Sequence, residues 1–378
     1  MLRIPPVPAV GQISPLRMGL RLSQLALLVS FVGLTGCSQP VTGSAASSST
    51  EDSDIARVKS AFGLLETIAG KGKRDAGNDW QTRFEGGPAA EAELSRPHMA
   101  LADAEGNIYI ADKEAHAIRR VALDGTITTV AGTNSPGDGV DTQQLATEVA
   151  LRNPNGLWVQ PDGTFYLVDL DNAKIRKVTP DGMMRTVFQV KKAKTPVGRG
   201  IWVSPDGNEA LVCAGSELLR WKAAAGTQVH ASGFSELGMV VRDAEGRIWV
   251  GDRGGNRVYE IRNGEKIVRA GNGLASAFVN GRPALETSFA GARAVWPYGR
   301  GFFVGLHEGS RVVYVDENGL AHTFLDGAHN AHGGDGKAFH DSGNKVSEVR
   351  SVAASPQGDL IVVENDSGFV RVVRAVRP

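Results

Sequence analysis

Arginine, histidine and asparagine occupy one repeated position of this 378-residue chain. The position lies eight residues before a glycine that closes a tight turn, as in Pro161-Asp162-Gly163. We call these positions the ring positions, and in chain order they are His98, Asn155, Arg199, Gly238, Arg293 and Arg350. A guanidinium group is a planar fork of donors that fits the two oxygens of a carboxylate or phosphate. If the ring positions converge, their side chains could bind a small anion or an acidic peptide terminus.

The ring arginines also have acidic neighbours in the sequence. Glu236 and Glu348 are close enough along the chain to pair with them and hold neighbouring elements in register. Charge clusters of this kind occur in structural networks as well as in functional sites. The sequence therefore leaves two interpretations open, a ligand site and a set of structural ion pairs.

The turn glycine marks an internal repeat. It recurs at intervals of 57, 44, 39, 55 and 57 residues, at Gly106, Gly163, Gly207, Gly246, Gly301 and Gly358. Four strands of five to six residues with their connections need about 40–50 residues. Apolar runs such as Ile108–Asp112 follow each turn. A repeat of this length predicts an all-β fold, a six-bladed β-propeller over residues 61–378.

The ends of this region predict how the propeller closes. The last unit contains strand patterns over Arg350–Ala354, Asp359–Val363 and Val370–Ala375 but has no fourth strand. Leu65–Gly70 resembles Ile127–Gly132, which is the fourth strand of the first unit. We therefore expect the N-terminal strand to complete the last blade, because this pairing leaves no exposed sheet edge.

The strand order also assigns the connections to faces. Four long connections join successive blades, over residues 71–96, 133–153, 272–292 and 328–349. They share one face with the start of each blade's first strand, and the opposite face carries only tight turns. Function concentrates on loops that a rigid scaffold positions. We therefore expect the ring positions to lie at the mouth of the central channel, on this long-loop face.

The repeat resembles the NHL repeat. Pro154-Asn155-Gly156-Leu157, the turn at Asp162-Gly163 and the run Asn172–Val178 carry the resemblance, and His332–Gly336 resembles the glycine-rich loop between NHL blades. It extends over residues 61–378 and implies a six-bladed propeller. NHL-like propellers include binding proteins, lactonases and lyases, so the fold does not specify the function.

The resemblance implies two metals that could act as cofactors, calcium and zinc. Calcium needs six to eight oxygen ligands, and the ring offers only Asn155, so a calcium-dependent lactonase is disfavoured. The family also includes a zinc-using lyase. His329, His332 and His340, with Asp335 nearby, could supply zinc ligands. The alternative for these histidines is an ordinary exposed loop.

Carboxylates recur at the end of the second strand of four units. They are Asp112, Asp169, Asp252 and Glu364. A catalytic residue need occur only once, so a repeated carboxylate favours a structural role. We expect these side chains to accept backbone N–H bonds and to shape the adjacent turns.

The N-terminus indicates export. Residues 19–36 are mostly apolar, follow Arg17 and end in Leu34-Thr35-Gly36-Cys37, which resembles a bacterial lipobox. The resemblance implies a signal peptide over residues 1–36, lipidation of Cys37 and a flexible tether over residues 37–60. Ser38 resembles the outer-membrane sorting pattern, which implies an outer-membrane lipoprotein that faces the periplasm. A plain signal peptide, an uncleaved anchor and a start at Met18 are the alternatives.

The charge balance excludes a general nucleic-acid role. The chain has 41 basic and 41 acidic residues, and removal of residues 1–36, which hold three arginines and no acid, leaves 38 against 41. No basic patch of the kind that binds nucleic acid is present in the sequence. We expect a monomer, attached to the membrane by its lipid, that binds an anionic ligand or a protein, peptide or glycan without catalysis. The alternatives are a lactonase- or lyase-type enzyme at the channel mouth and a structural module without a pocket.

Overall fold

Six antiparallel sheets surround one axis. The computed structural model describes residues 53–72, 77–190 and 199–377, and all of them lie in one unit of the chain. The first strand of each sheet contacts the first strands of the two neighbouring sheets, and these contacts run around a closed ring. The predicted all-β, six-bladed propeller is therefore confirmed.

The strands follow the predicted order within one or two residues. The closing strand is β1, Phe62–Ala69. Blade 1 contains β2 Pro97–Ala102, β3 Ile108–Asp112, β4 Ala117–Val121 and β5 Ile127–Ala131. After β6, Gln144–Leu145, blade 2 contains β7 Pro154–Val159, β8 Phe165–Asp169, β9 Lys174–Val178 and β10 Met183–Gln189. Blade 3 contains β11 Ile201–Val203, β12 Glu209–Ala214, β13 Glu217–Lys222 and β14 Gly226–Ser232.

The second half of the ring repeats this arrangement. Blade 4 contains β15 Leu237–Arg242, β16 Ile248–Asp252, β17 Arg257–Arg262 and β18 Glu265–Ala270. After β19, Arg282–Pro283, blade 5 contains β20 Ala292–Tyr298, β21 Gly301–Leu306, β22 Arg311–Val315 and β23 Leu320–Leu325. After β24, Lys337–Ala338, blade 6 contains β25 Val349–Ala354, β26 Leu360–Glu364 and β27 Phe369–Ala375. The helices are α1, Ser53–Ser60, and short 3-10 turns at Thr82–Phe84, Ala89–Glu91, Ala146–Glu148 and Leu170–Asn172.

The N-terminal strand closes the ring, as predicted. β1 pairs antiparallel with β27, and Leu65 lies opposite Val373 in this ladder. The last sheet therefore has the order β24-β1-β27-β26-β25, which joins the two ends of the folded region in one blade. The backbone groups of β27 gain partners that the C-terminal part of the chain cannot supply.

Helix α1 is a correction to the predicted tether. Residues 53–60 were expected to be flexible, but Ile55 and Val58 are buried against Phe62 in the core that includes blade 5. The hydroxyl of Tyr314 donates a hydrogen bond of 3.0 Å to the buried Asp54 carboxylate. Residues 53–60 therefore belong to the folded propeller, because these side chains extend the core beyond β1. Cys37 and the rest of the predicted tether and signal peptide lie outside the described residues.

None of the helices in the described ranges has the length and apolar character that crossing a membrane requires.

The long connections cover the outer edges of the blades. β6 pairs with β10, β19 pairs with β23, and β24 pairs with β1. In each case the connection that leads into a blade first adds a two-residue strand to the outermost strand of that same blade. An unpaired outer strand would be a template for association with other chains. These connections therefore have a stabilising role as well as the expected place beside the channel.

One predicted turn glycine is misplaced. Gly106, Gly163, Gly207, Gly246 and Gly358 have positive φ angles, as a tight turn of this type requires. In blade 5 the turn glycine is Gly299, with a φ of 58°, and Gly301 lies in β21. Gly301 is needed there for a different reason, since a Cβ atom would lie 2.1 Å from the carbonyl oxygen of Val315.

We expect the closure strand to stabilise the whole propeller. Leu65 is fully buried in β1, and Leu65→Ala should lower the free energy of unfolding by about 2–5 kcal/mol, because it leaves a cavity in the core. Chemical denaturation measures this loss. The neighbouring Leu64 is 44% exposed, so Leu64→Ala is the matched control and should change stability by about 0.5 kcal/mol at most. Equal, small effects of both changes would contradict an essential role of β1.

Candidate functional site at the channel mouth

A β-bulge lies at the ring position in five of the six blades, within the described residues. In blade 1, Pro97 pairs with Asp112 and Ala100 pairs with Ile110, so β2 advances three residues while β3 advances two. The first strands of blades 2, 4, 5 and 6 contain the same single extra residue. A bulge locally interrupts the ladder and re-aims side chains. His98, Asn155, Gly238, Arg293 and Arg350 all occur in these bulges, and in blade 3 the strand β11 begins only after Arg199.

The repeated carboxylates hold the chain just before each bulge. Each accepts a hydrogen bond from the backbone N–H three residues before the ring position. The pairs are Asp112 with Ser95 at 2.6 Å, Asp169 with Arg152 at 2.7 Å, Asp252 with Ser235 at 3.0 Å and Glu364 with Ser347 at 3.0 Å. The next residue has a left-handed conformation in three of these blades, at Arg96, Asn153 and Glu348. The predicted structural role is thus observed, and the carboxylates position the loop that leads into the ring.

Three of these carboxylates have a buried arginine partner. Arg119, Arg176 and Arg371 are fully buried on the third strands of blades 1, 2 and 6. The Nε atom of Arg176 lies 2.8 Å from Asp169, and its Nη1 atom donates to the carbonyl oxygen of Val140 at 2.7 Å. Arg371 likewise donates to two loop carbonyls, of Gly333 and Lys345. Burial raises the pKa of Asp169, and the arginine opposes that shift. Each pair therefore ties a long connection to the blade.

The ring side chains meet at the axis. Arg199 in blade 3 and Arg350 in blade 6 come from opposite sides of the ring, yet both contribute to the electrostatic field at Arg293. Burial lowers the pKa of Arg350 to about 10, Asp366 opposes this shift, and Arg199 adds to it. The pKa of His98 is well below its usual value because of burial and because of the positive charges of Arg350 and Arg293. His98 and Asn155 are both buried.

Arg293 is the unusual member of the ring. Its side chain is buried, with 2% of the residue exposed, and neither Nη1 nor Nη2 has a hydrogen-bond partner in the described part of the chain. Burial and the fields of Arg350 and Arg199 lower its pKa well below the usual value. Gly238 makes this packing feasible, since a Cβ atom there would lie 2.8 Å from the Cγ atom of Arg293. The glycine at the fourth ring position is therefore explained by the arginine of the next blade.

The other two ring arginines have acidic partners. Nη1 of Arg199 lies 2.6 Å from Oε1 of Glu236, and Nη2 of Arg350 lies 3.6 Å from Asp366. The alternative of structural ion pairs is therefore realised for Arg199 with Glu236. Glu348, the other predicted partner, lies 2.8 Å from Nδ1 of His329 instead. In the described structure, ion pairs with nearby acids account for Arg199 and Arg350 but not for Arg293.

Arg253, His307 and Glu308 lie at the mouth and were missed by the sequence analysis. Arg253 contacts Glu236 at 3.1 Å and also pairs with Glu308, whose carboxylate lies 3.1 Å from Nδ1 of His307. Burial raises the pKa of Glu308, but His307 and Arg253 outweigh it and lower the value to about 2. The three missed residues lie directly after the second strand of a blade, on the same face as the ring positions. Their position after this strand could have identified them from the sequence.

Three tryptophans meet beyond the ring positions. Trp158, Trp202 and Trp296 each lie three residues after a ring position. The ring centroids of Trp158 are 6.2 Å from Trp202 and 6.3 Å from Trp296. Blades 2 and 5 are opposite one another, so the contact between Trp158 and Trp296 crosses the axis.

The described structure places the three histidines considered for zinc against different neighbours. His329 pairs with Glu348, the ring of His332 stacks on Phe369 with centroids 3.7 Å apart, and His340 packs against Phe339. Across residues 53–72, 77–190 and 199–377, no group of three or more histidine, cysteine or acidic side chains has a metal-binding arrangement. Neighbours other than a metal therefore account for the positions of all three.

A cleft also lies away from the channel. It has a volume of about 660 Å³ and is lined by residues of blades 6 and 1, among them Glu66, Leu123, Asp335 and Arg374. Its charged groups are already paired, Arg374 with Glu66 at 2.6 Å and Asp335 with Arg371 at 2.6 Å. In the described structure the charges of Arg374 and Asp335 in this cleft are paired, whereas two guanidinium nitrogens of Arg293 have no hydrogen-bond partner. The chemistry therefore favours the channel mouth.

Comparison with known proteins establishes the fold and leaves the family open. No protein-family model matches the chain. Teneurin-1 of Gallus gallus is 31% identical over 153 residues, which are 36% of this chain and 5% of teneurin-1. The chain thus spans about a twentieth of the length of the curated relatives it matches. The resemblance to NHL repeats stays a prediction.

Two solved structures share the architecture. One is a protein of unknown function from Bacteroides thetaiotaomicron VPI-5482, with a TM-score of 0.64, 12% identity and coverage of 82% of this chain and 75% of that one. The other is an auxiliary nutrient binding protein from Bacteroides ovatus ATCC 8483, with a TM-score of 0.62, 13% identity and coverage of 84% and 78%. At this identity the likeness is evidence for the propeller fold alone.

We expect the buried arginine of blade 2 to be essential for stability. Arg176→Leu should lower the free energy of unfolding by about 3–5 kcal/mol, because it leaves Asp169 buried without its partner. Denaturation by urea measures the change. Arg185→Leu, at an exposed position of the next strand, is the control and should have little effect. A loss below about 1 kcal/mol for Arg176→Leu would show that the pair does not hold the loop.

Proposed function

We propose that this protein is a non-catalytic binding module that takes a small ligand through an anionic group, at the channel mouth on the long-loop face. The observation that carries the proposal is Arg293. A buried charge without a hydrogen-bonded partner is costly, and a carboxylate or phosphate would supply two acceptors in the plane of its fork. The bulge at Arg293 and the space left by Gly238 hold the guanidinium group in this place.

Charged side chains that interact with Arg293 or with its neighbours at the mouth are partly exposed. The side chains of Arg199, Glu236 and Glu308 are 33%, 37% and 42% exposed. Ion pairs this exposed contribute about 0–1 kcal/mol each, since water competes for both partners. The pair of Arg199 and Glu236 can therefore swing aside for an entering anion at small cost. The strand framework beneath it need not move.

The shared fold agrees with a binding role. A protein with the same architecture is described as a nutrient binding protein. That likeness shows that a propeller of this form can serve binding, and it says nothing about which ligand this chain takes. The identity of the anionic group rests on the chemistry of Arg293 alone.

We predict that the native protein binds small anions and that Arg293→Gln weakens this binding at least about tenfold. Hydrogen bonds to charged groups contribute about 1.5–3 kcal/mol, which corresponds to this factor or more. Calorimetric titration with sodium acetate, sodium glutarate and sodium phosphate at constant ionic strength measures the affinity. Arg300→Gln, at a 62% exposed side chain on the opposite face of blade 5, is the control.

Three results would contradict this proposal. They are no binding of any anion by the native protein, equal affinities of the native and Arg293→Gln proteins, and continuous heat from turnover of the ligand. In the first case water is the partner of Arg293. The third would favour the enzymatic alternative. Thermal unfolding of each variant confirms that it is folded before its affinity is compared.

The place of action that we propose is the periplasmic side of a bacterial outer membrane, with the propeller attached through a lipid on Cys37. The support is the sequence Leu34-Thr35-Gly36-Cys37. In a bacterial host, Cys37→Ala should move the full-length protein from the membrane fraction to the soluble fraction or block its processing. Ser44→Ala, in the predicted tether, should leave its distribution unchanged. Membrane association that survives Cys37→Ala would contradict lipid anchoring.

A further inference from the structure

Glu348 is a second buried group at the channel mouth that lacks a complete set of partners. It is 5% exposed, and its Oε2 atom has no hydrogen-bond partner among the described residues. Its Oε1 atom faces Nδ1 of the exposed His329 at 2.8 Å. Its backbone N–H donates to Oγ of Ser310 at 3.2 Å, and its φ angle is 50°. This left-handed conformation is unfavourable for a residue with a side chain, so its surroundings must hold Glu348 in place.

Glu348 lies on the same mouth as Arg293. It precedes Arg350 by two residues, and Arg350 interacts electrostatically with both Glu348 and Arg293. Burial raises the pKa of Glu348, and the carboxylate of Asp366 adds to this shift. The mouth therefore has an unsatisfied acceptor beside Arg350 as well as the unsatisfied donors of Arg293.

The charges around the mouth are almost balanced. In the described structure six cationic and five acidic side chains interact there. The cations are Lys113, Arg96, Arg199, Arg253, Arg293 and Arg350, and the acids are Glu114, Glu236, Glu308, Glu348 and Asp366. A strongly anionic ligand would meet repulsion from the acids along with attraction to the arginines. A ligand that carries both signs of charge fits this arrangement better.

We infer that the ligand is a small molecule with a carboxylate at one end and a protonated amine at the other, which we call an amino acid. Arg293 binds the carboxylate and Glu348 binds the amine. This inference rests on the proposed function, because it assigns the anionic group to the same site. An ammonium group donates three hydrogen bonds, so it can satisfy Oε2 of Glu348. Each end of the ligand then forms a charge-assisted hydrogen bond with a buried side chain, through the Oε2 atom of Glu348 and the Nη atoms of Arg293, which have no hydrogen-bond partner in the described structure.

The test compares amino acids with carboxylates of the same length. Glycine, β-alanine, 4-aminobutyrate and 6-aminohexanoate are titrated into the full-length protein by calorimetry, each against acetate, propionate, butyrate or hexanoate. At one chain length the amino acid should bind at least about tenfold more tightly than its carboxylate, since a charged hydrogen bond is gained. Glu348→Gln should abolish this preference and keep carboxylate binding. Arg293→Gln should weaken both.

The control is Glu317→Gln, which removes a carboxylate that pairs with Arg300 on the opposite face and should leave the preference unchanged. If Glu348→Gln does not fold, Glu348→Asp serves instead and should shift the preference to a longer amino acid. Equal affinities for amino acids and carboxylates, with Arg293→Gln still weakening both, would overturn this ligand class and leave the proposed function intact. Absence of binding by every compound would overturn both.

Discussion

The channel mouth depends on a hydrogen bond that recurs in four blades, between a buried carboxylate and the backbone just before the first strand. Asp112, Asp169, Asp252 and Glu364 make it in four blades, always to the N–H three residues before the ring position. The bond fixes the turn, the turn leads into a bulge, and the bulge aims the ring side chain at the axis. A local contact repeated in several blades thus builds one shared site.

Blade 5 reaches the same result without a carboxylate. Its second strand ends in Leu306, and the amide oxygen of Asn256 in blade 4 accepts the hydrogen bond from the N–H of Gly291. Gly291 has a φ of 66°, which matches the left-handed residues of the other blades. The blade with the substitute contact is also the blade that carries Arg293. Because Asn256 belongs to blade 4, the position of Arg293 depends on the contact between two neighbouring blades.

The architecture was readable from the sequence because it is a local, repeated pattern. Turn glycines, apolar strands and the likeness of Leu65–Gly70 to Ile127–Gly132 predicted six blades and the closing strand, and both are confirmed. Errors arose where a non-local contact decides the outcome. Residues 53–60 are polar enough to suggest a tether, but Ile55 and Val58 pack into the core that includes residues of blade 5. Gly301 was assigned to a turn, and its strand position is set by the close approach of Val315.

The candidate site was predictable only in part. Counting from the turn glycine showed that Arg199, Arg293 and Arg350 occupy equivalent positions in three blades, because the repeat fixes their register. It could not tell which of them would be paired, since pairing depends on how the surrounding loops pack. The partner of Arg199 is Glu236 from the next blade, and the partner of Arg350 is Asp366 from its own blade. Arg199 meets Glu236, but Arg293 is covered and unpaired, and no sequence distance distinguishes the two.

By itself, the sequence determined the repeated elements and the positions that point at the axis, since turn chemistry and strand alternation act over a few residues. Only the tertiary structure decided which charges are buried, which are paired and which side chains meet across the axis. Trp158 and Trp296 come into contact from opposite blades, and Arg350 contributes to the electrostatic field at Arg293. Those properties depend on distances between residues far apart in the chain, which exist only once the ring has closed.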